Sequence, residues 1–141
     1  MRTKTLLLTA ALGAAGIATS MAQVYSVNAV GYVNTTLLPG YNLISNPLNN
    51  TAGNTIGNLF TTGWNGTIPP GTFVYLFDST TDAFVIAQWD DLTGSFEPPS
   101  SASRVVAPGE GVFVLVGGTV NQTVTFVGEV APGAASDTQN P

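Results

Sequence analysis

The chain has 141 residues, a formal charge of −5, no histidine and no cysteine. That inventory excludes disulfide stapling, Ser-His and Cys-His nucleophile pairs and the usual zinc ligands. Three basic residues against eight acidic ones also give a chain that repels phosphate backbones, so nucleic-acid binding is not expected.

Residues 1–22 read as a signal peptide. Met1-Arg2-Thr3-Lys4 is a short basic start, Leu6 to Ala18 an apolar core, and Ser20-Met21-Ala22 a small-residue site with cleavage before Gln23. The apolar core falls short of the roughly 20 residues that a membrane span needs, so no span is expected after cleavage. The predicted mature chain is therefore exported. It is left with Arg104 as its only strong cation, and losing Arg2 and Lys4 takes the formal charge from −5 to −7. Its remaining polarity is mostly uncharged Thr, Ser, Asn and Gly, a composition closer to adhesins and matrix proteins than to enzymes. Residues 23–130 suit one β domain, and residues 131–141 form a small polar tail.

Val24 to Val33 alternates, with Tyr25, Val27, Ala29, Gly31 and Val33 on one face, and predicts a half-buried strand. Asn34 to Gly40 turns the chain. Tyr41 to Ser45 is a strand led by the turn pair Pro39-Gly40 and ended by Asn46-Pro47. Asn49 to Asn54 is polar loop, and Thr55 to Phe60 allows one helical turn with Ile56, Leu59 and Phe60 on one side. Thr61 to Gly71 is a Gly- and Pro-rich loop holding Trp64. Thr72 to Phe77 is apolar on both faces, as in a strand at the middle of a sandwich. It pairs as a hairpin with Ala83 to Trp89 across Asp78–Asp82. Asp91-Leu92-Thr93-Gly94 fits a turn, and Pro98 to Ser101 an exposed connector. A second Pro-Gly-led strand, Val112 to Val116, is predicted to form the last hairpin with Val120 to Val127 around Gly117-Gly118. Short strands punctuated by Gly and Pro, with at most one short helical turn, predict an all-β antiparallel sandwich or jelly-roll-like barrel.

Four segments carry a likeness: Gln23-Val24-Tyr25-Ser26-Val27-Asn28-Ala29-Val30-Gly31-Tyr32-Val33-Asn34, Pro39-Gly40-Tyr41-Asn42-Leu43-Ile44, Pro108 to Val114, and Val124 to Val130. Together they resemble a group of uncharacterised small exported β-rich proteins of environmental Gram-negative bacteria. The third segment is the looser match, because Val112 stands between Gly111 and the aromatic Phe113. The resemblance implies an exported β-rich domain and carries over no catalytic residues.

Without His, Cys or a mature-chain Lys, only carboxylate chemistry remains open. The acids Asp78, Asp82, Asp90, Asp91, Glu97, Glu110 and Glu129 fall at turns and strand ends, where capping outweighs a glycosidase pair. No enzyme and no cofactor are expected. Calcium is the best metal candidate for these residues, at Asp78 with Asp82 or at Asp90-Asp91, although an Asx turn suits each better. Trp64 is the candidate for stacking on a sugar ring, against a role pinning its loop, and Trp89 ends an apolar strand as a core residue. Asn34, Asn49, Asn65 and Asn121 head Asn-x-Thr triplets.

The function these features predict is non-catalytic: a structural or adhesive β domain at the cell surface or in the extracellular matrix. Its expected partners are copies of itself or other surface components, joined by strand addition through Val24, Tyr25, Val27, Ala29 and Val33. The alternative is a carbohydrate-binding module that uses Trp64.

Overall fold

The computed structural model describes residues 30–130. They form an all-β fold of two antiparallel sheets. The strands are β1 (Val30–Leu37), β2 (Gly40–Ser45), β3 (Phe73–Asp78), β4 (Ala83–Asp90), β5 (Ser95–Glu97), β6 (Gly111–Val116) and β7 (Gln122–Glu129). One sheet has the order β2-β6-β3-β4-β5, and the other is the ribbon β1-β7. Two helices complete the fold, α1 (Ile56–Gly63) and α2 (Pro99–Ala102).

The two sheets share one folded-over ribbon. β1 pairs with β7 from Val30↔Glu129 to Leu37↔Gln122, and β2 then pairs with β6 from Gly40↔Val116 to Ser45↔Gly111. Both chains of the ribbon turn a corner between these registers. On one chain the corner is Leu38-Pro39, followed by Gly40 at φ +90, a value that suits glycine. On the other it is Gly117–Asn121, where a Cβ on Gly117 would collide with the carbonyl of Pro70. The buried Thr72 hydroxyl accepts the Gly117 amide at 3.2 Å and fixes that corner.

This geometry corrects four expectations. Asn34 to Leu37 belong to β1, since the turn needs only two residues. The strands at 112–116 and 120–127 are not a hairpin: β6 pairs with β2 and β3, and β7 with β1. The predicted single helical turn is an eight-residue helix, capped by the Thr55 hydroxyl, which accepts the Asn58 amide at 3.2 Å. The Pro98–Ser101 connector likewise closes into the short α2, whose first position suits proline. The hairpin of β3 and β4 is as expected, with Phe73↔Gln88 through Asp78↔Ala83.

The core lies between the ribbon and the inner face of the larger sheet. Val74, Leu76, Val112, Val114, Val116 and Ala87 point in from the sheet, and Val124 and Phe126 from β7. Ile56, Leu59 and Phe60 enter from α1. Phe60 bridges the layers: its ring meets Phe96 edge-on at 6.3 Å and Phe126 at 6.2 Å. The second edge of β7 is covered in part, by the Asn49↔Glu129 and Trp64↔Val124 bridges. The second edge of β1 has no strand partner among the described residues.

Candidate functional site: an aromatic sheet face

Side chains alternate across a strand, and in the larger sheet the alternation sorts by residue type. The inward positions of β3 and β6 are aliphatic: Val74, Leu76, Val112, Val114 and Val116. The outward positions of the same strands are Phe73, Tyr75, Phe77, Phe113 and Leu115. The register lays Phe84 beside Phe77, Ile86 beside Tyr75, and Leu43 beside Phe113. β2 also contributes Tyr41, opposite Leu115.

The result is a continuous apolar face pointing away from the core. Tyr41 is 69% exposed, Leu43 68%, Phe84 48%, Phe77 46%, Ile86 44% and Phe113 39%. The rings touch one another in a chain. Tyr41 and Tyr75 lie 6.0 Å apart, Phe73 and Tyr75 stack at 6.1 Å, Tyr75 meets Phe84 at 6.5 Å, and Phe84 meets Phe77 at 5.4 Å and Phe113 at 6.1 Å. Tyr41, Tyr75, Phe84 and Phe113 enclose a shallow groove of 500 Å³. Burial, then a hydrogen bond with Tyr41, raises the Tyr75 hydroxyl above its ordinary pKa of 10.0. No charged side chain lies among these aromatic and aliphatic positions. Apart from Ser45 at the end of β2, the outward residues turn polar toward β5, at Gln88, Asp90, Ser95 and Glu97.

The residues singled out in the sequence lie elsewhere. Trp64 is 6% exposed, inside the core, and its indole Nε1 donates to Gln122 Oε1 at 3.1 Å. It pins its loop to β7 and offers no free face to a sugar, which corrects the stacking assignment. Asp78 accepts the Thr80 amide at 2.9 Å and pairs with Arg104 at 2.7 Å. The Thr80 amide and then the guanidinium hold its carboxyl below the ordinary 3.8. Asp82 supplies a turn residue at φ +52. Asp90 accepts the Leu92 amide at 2.9 Å and so heads the turn that was expected to start at Asp91.

Asp90, Asp91 and Glu97 do share one depression of 310 Å³ with Gln88, Trp89 and Pro98. The Glu97 carboxylate there already accepts the Ser95 hydroxyl at 3.1 Å. Among the described residues no three acidic groups converge closely enough to hold a metal ion. Val33 pairs with Phe126 of its own chain, while Val24, Tyr25, Val27 and Ala29 lie outside the described residues.

The sequence does not announce the aromatic face, because Thr72–Phe77 is apolar on both sides and so predicts a strand covered on both. The available signal was finer: aromatics at Phe73, Tyr75 and Phe77 alternate with the aliphatic Val74 and Leu76. No helix among the described residues is long and apolar enough to cross a membrane. No family model, curated protein or solved structure matches the chain.

Proposed function

We propose that this is a non-catalytic, exported structural or adhesive β domain of the cell surface or extracellular matrix, joining copies of itself or other surface components. The observation that carries the reading is the exposed aromatic face of the five-stranded sheet. Monomeric proteins ordinarily leave their largest apolar patches at a few hundred Å², and larger ones mark contact sites. Strand addition is a second route to assembly. It is supported by the edge of β1, whose strand is eight residues long and carries Tyr32 at 74% exposure.

Glycan binding remains the alternative, moved from Trp64 to the Tyr41–Tyr75 pair, the only hydroxyl-bearing rings on the face. It is the weaker reading, because the groove offers a sugar almost nothing else to hydrogen-bond.

The test is the mass of the secreted protein by light scattering over a range of concentrations, with and without calcium, alongside retention on insoluble polysaccharides. Mass that rises with concentration, independent of calcium, is the expected result. A catalytic turnover abolished by Asp90→Asn or Glu97→Gln would refute the non-catalytic reading. A monomer at every concentration that adheres to no surface would refute the adhesive one.

A further inference from the structure

We propose that the outer face of the five-stranded sheet packs against the same face of a second copy of this chain, giving a two-fold dimer. The inference rests on the self-assembly reading and specifies its surface and its partner. Three observations favour a second copy over other occupants.

The first is area. At roughly 150–250 Å² for a whole aromatic side chain, the six most exposed apolar side chains present on the order of 600 Å² to solvent. A standard interface takes about 800 Å² from each partner, and the half-buried Phe73, Tyr75 and Leu115 supply part of the remainder.

The second is self-complementary shape. A two-fold interface uses one patch twice, so knob and hole must lie on the same surface. The 500 Å³ groove over Tyr75 is the hole. Leu43, 68% exposed on β2, is the knob. Packed sheets lie about 10 Å apart with interdigitating side chains, so a leucine of one face can enter the groove of the other.

The third is charge. Two secreted chains, each going from −5 to −7 with the loss of Arg2 and Lys4, repel at long range, but the aromatic region holds no charge to bury. Asp90 and Glu97 sit at its β5 side as a polar rim. A nucleic acid or an anionic lipid would need cations, and the face has none.

The test is sedimentation velocity of the full secreted chain across a hundredfold concentration range, with far-UV circular dichroism on every variant. Leu43→Asp and Phe84→Asp place a carboxylate in the contact, whereas Tyr32→Lys charges β1, whose second edge has no strand partner among the described residues. The expected result is a wild-type dimer, association weakened at least tenfold toward monomer in both face variants, and Tyr32→Lys dimerising like wild type. Loss of assembly in Tyr32→Lys alone would overturn face pairing while leaving self-assembly standing through the strand edge. A monomeric wild type would overturn pairing with a second copy, leaving adhesion to be judged by retention on surfaces. Misfolding of both face variants would also overturn it, because a face free in the monomer tolerates charge.

Discussion

Phe60 and Phe84 make the same side chain answer two different questions. Each ring touches other aromatics, but Phe60 is 1% exposed and Phe84 is 48% exposed. Phe60→Ala removes the ring that bridges the two layers and leaves a cavity between Phe96 and Phe126. Such core truncations cost about 3–5 kcal/mol, a large part of the 5–15 kcal/mol that holds a typical domain together. Full burial of a phenylalanine is worth about 1.5–3 kcal/mol. The half-exposed Phe84 should therefore cost only about 1 kcal/mol in the monomer.

Urea unfolding followed by the fluorescence of Trp64 and Trp89 measures both. With a slope of about 1–3 kcal/mol per molar urea, Phe60→Ala should lower the midpoint by roughly 2 M and Phe84→Ala by about 0.5 M in dilute protein. In concentrated protein the Phe84→Ala deficit should grow, because dimerisation stabilises the wild type by mass action, and the deficit of Phe60→Ala above that common gain should not. Equal costs for the two variants at the lowest concentration would refute the reasoning, since the outer face would then be as covered as the core.

Two further predictions concern polar groups. Asn46 is 2% exposed, and its Nδ2 donates to the Val106 carbonyl at 2.8 Å while its Oδ1 accepts the Leu48 amide at 3.3 Å. Asn46→Ala leaves both backbone groups without that partner and should cost about 1–3 kcal/mol in urea unfolding, and a loss below about 0.5 kcal/mol would show that water replaces the side chain. The Asp78 carboxyl has a folded-state pKa below 3.8, so its contribution is present above that value and is lost as pH falls through the folded value; midpoints measured from pH 5 to pH 2.5 should fall more steeply in the wild type than in Asp78→Asn, and parallel curves would contradict the assignment.

What the sequence made legible was local, and what it concealed was set by the corner. Pro39-Gly40, the 73–78/83–90 hairpin and the apolar side of α1 are encoded within a few residues, through proline geometry, alternation and helical spacing. The pairing of β6 with β2, some 70 residues away, has no local signature, and Gly117-Gly118 between two apolar strands reads as an ordinary hairpin turn. Its true role depends on the Pro70 carbonyl lying against Gly117, a contact that only the fold creates. The choice between stacking and loop pinning at Trp64 rests on distant residues for a related reason. A tryptophan in a Gly-rich loop looks exposed, but Gln122 and the Trp64↔Val124 bridge draw it into the core.

The aromatic face also differs from a merely uncovered core in how its rings are held. Five ring pairs run across it at centroid separations of 5.4 to 6.5 Å, three of them through Tyr75 and three through Phe84. Each ring is carried by a strand hydrogen-bonded to neighbours, and aromatic side chains have only two torsions to fix. Docking onto such a surface therefore spends little side-chain entropy, at about 0.5–1.5 kcal/mol for each flexible side chain that would otherwise have to be immobilised. Most of the stability lies elsewhere, because Phe60, Phe96, Phe126 and the aliphatic side of the same sheet form a core without the face. The two faces of one sheet thus carry separate tasks, with the aliphatic side holding the fold and the aromatic side left rigid, uncharged and free to make contact.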